Sequence, residues 1–438
     1  MRGHIRKRVR VNAGGRKTVR WYPIVHLGLN PDTGKYRYEE REGYPTKAEA
    51  EIALNRKLAD LGSGEFVSPS KLTLAKYLTD HWLPTTKTRV KVTTWRNYCA
   101  MAERYVVPMI GSKRLSEVTA ADANTFYARL SSGELPVQPK RTRPEPQRTP
   151  IGTRRPRPRK NRALSNKTVA NVHVMLRKVL KDAVDEGLIA RNPVERAKPP
   201  RATKPEIEAW SAHQLNRFLA AVAKDTDYAL WHFLALTGVR RGEALAVRWS
   251  DLDLVAGTVS IRRNLVLVGP SKTAFDTPKN GRARVLDLDE GTCAVLKTHR
   301  KQIAAERLAY GGGYRRLDLV FPREDGSERK PDSVSRRFGV LRDRAIEAKV
   351  LNKRITLHGL RHTHASIALL LGVHVKVVSE RLGHSDPAFT MRTYQHLLPS
   401  MQRDAATAIA SMVRGAETDD TESSEAADEE PVAKGSSD

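Results

Sequence analysis

The sequence predicts a multidomain chain, mainly α with small β parts. Three observations lead there. At 438 residues the chain is too long for one typical domain and suits two or three. Its apolar pattern changes along its length, from strand-like runs to helical spacing to a mixture of both. Two proline-bearing stretches, 131–162 and 192–205, interrupt the helical pattern.

Residues 1–65 read as a small β-rich unit followed by a helix. "RKTVRWYPIVHLGL" and "KYRYEEREGY" are rich in aromatic and β-branched residues and flank the turn signal Asn30-Pro31-Asp32-Thr33-Gly34. Thr46 and Glu49 form a capping box for a helix that ends near Gly62-Ser63-Gly64. Arg16, Arg20, Lys35 and Arg37 lie on the strand-like runs, and such a basic face suits DNA phosphates. The bland alternative is a solvated sheet surface.

Residues 70–200 read as helical. "LAKYLTDHWL", "TWRNYCAMAERYVVPMI" and "ADANTFYARL" carry apolar residues three and four apart. The stretch 131–162 is Pro- and Arg-rich with few apolar anchors, so it reads as an extended basic insertion. Arg154 and Arg155 are its candidate DNA contacts. A helix capped by Ser165 follows, with one apolar stripe from Val169 to Val184 and Gly187 near its end.

From 206 to 403 the pattern is mixed. Ser211 caps a helix, a second reaches Leu236, and "GTVSIRR", "NLVLVG" and "ARVLDLD" read as successive strands. Helices then resume from about Glu290, which makes an α+β domain. The end, 415–438, is acidic and Ser-rich and reads as a disordered tail.

The formal net charge of +28 points to a polyanion, with nucleic acid as the default. Two distant cysteines, Cys99 and Cys293, make neither a disulfide framework nor a zinc set. They suit a reducing cytoplasm. The basic N-terminus lacks an apolar region behind it, so no signal peptide is expected. No apolar run has the length of a membrane span.

Three short stretches can carry chemistry. In "TGVRRGEAL" an apolar helix ends at Thr237-Gly238 and a new one starts, which places Arg240 at a corner suited to a phosphate. Glu243 lies on the same face and can hold that guanidinium. In "HGLRHTHAS", His358 and Arg361 stand at i and i+3, a pairing of proton carrier and anion binder. His358 and His362 at i, i+4 also resemble half a zinc-protease helix, but Gly359 stands where that pattern needs Glu. In "GHSDPAFTMRTYQHL", His384 precedes Tyr394 across a turn and a Pro387-opened helix, and both can face one cleft. Each stretch alone also fits structural residues.

Together, in this order, these stretches resemble the tyrosine recombinase (phage integrase) family, and in particular integrases of phages or integrative plasmids of high-GC bacteria. The resemblance covers 206–403 by motif and 70–200 more loosely, as a helical core-binding domain. Residues 1–65 resemble a three-stranded, one-helix arm-binding domain. The resemblance implies catalytic roles for Arg240, His358, Arg361, His384 and Tyr394, with Glu243 in support. It also implies a catalytic lysine on the β-hairpin after the first arginine. "DTPKNGRARVLDL" fits that place best, giving Lys279, with Lys272 as runner-up.

The implied activity is site-specific DNA recombination through a 3′-phosphotyrosine, integrating and also excising a mobile element. The arginines would clamp the phosphate, Tyr394 would attack, His358 would take its proton and Lys279 would protonate the leaving oxygen. No metal or other cofactor is expected. Expected partners are duplex DNA at core and arm sites, the chain itself as a tetramer on DNA, and an excisionase or host DNA-bending protein. No membrane partner is expected, and the expected location is the cytoplasm, on the nucleoid. Two alternatives stay open: a non-cutting DNA-binding regulator or architectural protein, and a topoisomerase using the same tyrosine chemistry. Whether Tyr394 acts in its own subunit's cleft or a neighbour's is open too.

Overall fold

The computed structural model describes residues 3–11, 17–29, 36–40, 42–62, 71–135, 163–203, 207–269, 272–394, 406–407 and 409–414. The chain divides into two compact units, Met1–Lys204 and Pro205–Asp438. Among the described residues no helix is long and apolar enough to cross a membrane.

The first unit opens with a three-stranded antiparallel sheet, β1 (Gly3–Val11), β2 (Lys17–Leu29) and β3 (Tyr36–Glu40), in that order. The first strand falls on the basic terminal stretch, where its charge hides the alternation of Ile5 and Val9. Helix α1 (Lys47–Gly62) lays Leu54 and Leu58 against Ile5 and Val25. Its capping box is half formed: Glu49 N–H donates to Thr46 Oγ1 at 3.3 Å.

The described helices that follow are α2 (Leu74–Lys76), α3 (Leu83–Arg89), α4 (Val92–Met101), α5 (Val107–Ile110), α6 (Ala120–Ser132) and α7 (Asn166–Asp185). Two wide π-helical turns, Tyr77–Trp82 and Ala102–Val106, interrupt this series. Each ends two residues before a proline, Pro84 and Pro108. Proline lacks an N–H and crowds the carbonyl four residues back, and a widened turn relieves both. The α7 stripe is fully buried from Val169 to Leu180, against Tyr77, Trp82, Phe126 and Tyr127. Acidic groups on and just after α7 satisfy two of those aromatics: Trp82 Nε1 donates to Asp182 at 2.7 Å and Tyr77 to Glu186 at 2.9 Å.

The second unit is α+β. Helices α8 (Ala212–Ala221), α9 (Tyr228–Thr237) and α10 (Arg241–Ala244) lead into five short strands. These are β4 (Leu252–Asp253), β5 (Thr258–Ile261), β6 (Asn264–Leu267), β7 (Thr273–Asp276) and β8 (Arg284–Asp287). They form a sheet of order β4-β5-β8 and a separate β6-β7 hairpin. Strand β7 lies on "TAFD", which lacks a strand-like run and is ordered by pairing with β6, Leu265 opposite Phe275. Helices α11 (Glu290–Tyr310), α12 (Pro331–Glu347), α13 (Leu357–Leu370), α14 (Val375–Leu382) and α15 (Pro387–Tyr394) complete it. The apolar α9 is buried on most of its circumference, and its Trp231 joins Phe338, Phe218 and Trp210 in a cluster of tilted and edge-on ring contacts. This rigid centre carries the ends of α9, α13 and α14, where the polar groups gather.

Candidate active site

The site is built on the carboxyl end of α14. The last carbonyls of a helix have no partner inside it and carry the negative end of its dipole. Here three successive carbonyls accept from three arginines. Arg284 Nε donates to Arg381 O at 2.9 Å, Arg361 Nη2 to Leu382 O at 2.7 Å, and Arg240 Nη2 to Gly383 O at 3.1 Å. Gly383 ends the helix with φ of 65°, in the left-handed region that favours glycine.

Arg240 caps α10, as the corner at Gly238 predicts. Glu243 accepts from the Arg240 backbone N–H at 3.0 Å and from its Nη1 at 2.9 Å. Its Oε2, which takes the backbone N–H, also accepts from Arg284 Nη2 at 2.7 Å. Burial opposes the Glu243 charge, but the hydrogen bond and charge of Arg284, with those of Arg240, hold its pKa below the ordinary value.

Arg361 is 3% exposed, and its second fork arm donates from Nη1 to Gly238 O at 2.9 Å. One guanidinium thus ties the end of α9 to the end of α14. Desolvation first, and then the nearby Arg240 charge, lower its pKa to about 9. A buried cation among cations gains from any anion brought to it. A cleft of about 580 Å³ lies beside these groups, lined by Arg240, Arg241, Ser335, Arg342, His358 and Arg361.

The histidines divide between two places. His358 stands at the cleft rim. Partial desolvation, then the charges of His362, Arg361, Arg240 and Lys279, push its pKa down to about 4. His384 is also pushed down, to about 3, by desolvation and then by Arg361 and Arg240. Both rings are therefore neutral near pH 7. His384 Nδ1 lies 2.7 Å from the Oγ1 of the fully buried Thr390, which fixes the ring and leaves Nε2 for another partner.

Tyr394 is 1% exposed, packed among Ala365, Leu369, Val378 and Leu382. Burial raises its phenol pKa to about 12, against a lowering by Arg361. Its hydroxyl lies 2.7 Å from Nδ1 of His362, not against His358. His358 instead meets the His362 ring edge-on, with centroids 4.8 Å apart. The two histidines are one helical turn apart, and the later one lies nearer α15. Helical spacing pairs His362 with His358 as a half zinc site or as a histidine without a role, and gives no sign of its contact with Tyr394.

Lys279 is exposed in the turn after β7, and its charge is among those acting on His358. Its neighbour Asn280 donates to Gly383 O at 3.3 Å and so ties this turn to the α14 end. Lys272 lies at the opposite, tip end of the hairpin and is exposed. Nothing in the local pattern marks the strand residue Arg284 as a partner of Glu243 and Arg381 O, or the helix residue Thr390 as the partner of His384 across the Pro387 turn.

In the first unit, Arg20 is exposed and donates to Gly43 O at 2.7 Å. Neighbouring cations lie over aromatic rings, Lys7 on Trp21 at 5.5 Å and Arg8 on Tyr22 at 5.0 Å. Arg37 falls in β3, but its side chain lies outside the described set, and Arg16, Lys35, Arg154 and Arg155 lie outside the described residues.

Comparison with known proteins adds to this geometry. Residues 208–401 match the model described as the phage integrase family, and residues 74–131 match the phage integrase N-terminal SAM-like domain. The chain is 27% identical over 263 residues to a tyrosine recombinase XerC-like protein of Caldanaerobacter subterraneus, covering 55% of this chain and 65% of that one. It is 25% identical to an integrase of Streptomyces ambofaciens over 397 residues, covering 89% of this chain and 92% of that one. Among solved structures, the Tn1549 transposon integrase in complex with transposon right end DNA superposes with a TM-score of 0.61 at 18% identity. That match covers 77% of this chain and all of the other, and it shows the shared fold.

Proposed function

The chain belongs to the tyrosine recombinase (phage integrase) family, and we propose that it is a site-specific DNA recombinase that cuts and rejoins strands through a 3′-phosphotyrosine. The observation that carries this reading is the set of arginines, histidines and Tyr394 gathered around the α14 end.

A phosphodiester seated at the cleft brings negative charge to Arg240 and Arg361, which are held by backbone carbonyls and Glu243. Their forks suit two non-bridging oxygens, and fixed donors stabilise the charge that grows in the transition state. His384 Nε2 and His358 supply further donors. Tyr394 attacks phosphorus as its proton passes to a histidine of α13, the bond to the 5′ oxygen breaks, and Lys279 gives that oxygen a proton. The covalent link keeps the energy needed for rejoining, and the reverse steps seal the new partner strand.

In this reading 206–403 is the catalytic domain, 70–200 closes on the core site, and 1–65 holds arm sites. The basic insertion adds phosphate contacts. The working form is a tetramer on two DNA sites in the bacterial cytoplasm, with an excisionase or host bending protein setting direction.

The test is a nicked suicide substrate carrying a candidate attachment site. The expected result is a covalent protein–DNA adduct with the wild type and none with Tyr394→Phe. An adduct formed by Tyr394→Phe, or none by the wild type, sinks the reading. An adduct with relaxation of supercoils but no exchange between two sites selects the topoisomerase alternative.

A further inference from the structure

We propose that His362 is a catalytic residue, the group that takes the proton of Tyr394 during cleavage and returns it during rejoining. The inference rests on the recombinase reading and deepens it, since it reassigns the proton expected to pass to His358.

Geometry is the first support. A base must lie within hydrogen-bond reach of the proton it removes. His362 Nδ1 is 2.7 Å from the Tyr394 hydroxyl, in a pocket where that phenol is shielded from water. His358 is aligned differently. It touches the His362 ring by its edge, and Arg240, Arg361 and Lys279 act on it, which places it with the phosphate-binding cations.

Position is the second support. His362 directly follows Arg361, so one helical turn presents the phosphate clamp and the base. Ser366 donates to His362 O at 2.8 Å, a bond that braces this turn. The groups facing His362 are Arg361 and His358 on its own helix, Tyr394 on α15 and His384 beyond α14.

The protonation states agree. Burial, then the Arg361 charge, lower the His362 pKa, so the ring is neutral and Nδ1 can accept. Burial raises the phenol, so transfer is uphill in the free protein. A DNA phosphate beside Arg361 adds a negative charge that raises the imidazole, and forming the O–P bond acidifies the phenol. The nucleophile therefore stays silent until DNA is seated. In the step, the Tyr394 Oη–P bond forms, the P–O5′ bond breaks, the Oη proton moves to His362 Nδ1, and O5′ takes a proton from Lys279. Rejoining reverses each transfer.

The experiment compares single-turnover cleavage of the nicked substrate by the wild type, Tyr394→Phe, His358→Asn and His362→Asn, with DNA band shifts as a folding control. Asparagine keeps a polar atom near the Nδ1 position but accepts no proton. For His362→Asn a loss of roughly 10²–10³-fold is expected at neutral pH, shrinking as pH rises. A difluorotyrosine at position 394, with its more acidic phenol, should restore much of the rate. A substrate with sulfur in place of the bridging 5′ oxygen should rescue Lys279→Ala but not His362→Asn. If His362→Asn loses DNA binding, His362→Gln takes its place in the same series. Cleavage by the variant within about threefold of the wild type, or rescue by the sulfur substrate, overturns the assignment while leaving the recombinase reading intact. A wild type that forms no adduct removes both.

Discussion

Arg361 and Leu382 are joined by a 2.7 Å bond from guanidinium Nη2 to backbone carbonyl, across 21 residues of chain. The other arm of the same guanidinium holds Gly238 O at 2.9 Å. The side chain that would face the phosphate is thus also the clasp between three helices, and its geometry depends on having two arms.

Arg361→Lys should therefore impair more than charge. A lysine ammonium on a flexible stem does not reproduce a rigid fork bonded to two carbonyls. The cost of a weakened buried pair of bonds is on the order of 1–3 kcal/mol, or a melting temperature lower by ~2–12 °C. Single-turnover cleavage should fall by roughly 10²-fold or more, while band-shift affinity changes little. Thermal melts and a nicked-substrate assay check both halves, and an unchanged melting temperature removes the clasp.

Gly383→Ala should be more harmful than Gly372→Ala. Both glycines have positive φ, 65° and 77°. A Cβ at Gly372 meets nothing within 4 Å, so only the backbone cost of about 1 kcal/mol applies. A Cβ at Gly383 lies 2.8 Å from Arg284 Nη1, inside the arginine cluster. Its melting temperature should drop further, and cleavage should drop with it. Equal effects of the two variants would show that Arg284 moves aside freely.

Thr390→Val keeps shape and removes the hydroxyl that fixes His384. Losing that orienting bond should cost about 1 kcal/mol, and so slow cleavage by roughly five- to tenfold. The salt dependence of DNA binding should stay as it is, because no cation is lost. Cleavage at the wild-type rate would show that the ring holds its pose without Thr390.

Acid should destabilise the second unit before its carboxylates titrate. His384 and His364 have folded pKa values near 3 and 4, lowered first by desolvation. Unfolded histidine titrates near 6.5. Between these values the unfolded chain binds protons that the folded chain refuses, so stability is fully present above about pH 6.5 and is lost as pH falls toward 4. Melting temperatures of the full chain at pH 7.5 and 5.0 should differ by several degrees. His364→Asn, which keeps a donor for Ala235 O, should flatten that slope.

Arg20→Ala should lower the salt dependence of arm-site binding by about one unit of slope if its side chain meets a phosphate. Its bond to Gly43 O supplies the rival outcome. A lower melting temperature with an unchanged salt slope would make Arg20 a brace of the sheet.

Much of this was readable locally. Arg240 at the corner after Gly238, and His358 with Arg361 on one helical face, follow from spacing and end signals alone. Strand β1 was harder, because Ile5 and Val9 are diluted by arginines and only pairing with β2 exposes their role. At the π-helical turns, apolar spacing marks a helix but not its width. Strand β7 needed its partner, since "TAFD" has no pattern of its own.

The sequence by itself determined the order of the chemical groups, their types and their placement on helix starts and ends, because those depend on neighbours within a few residues. Only the tertiary structure decided which atoms meet. Arg240 finds Gly383 across 143 residues, Arg284 finds Glu243 across 41, and Tyr394 finds His362 across 32. Helical spacing cannot rank His358 against His362 for Tyr394, because both lie on one face and the choice rests on where α15 packs. That packing is set by the apolar cluster of Ala365, Leu369, Val378 and Leu382, which buries the tyrosine ring and brings its hydroxyl to the second histidine.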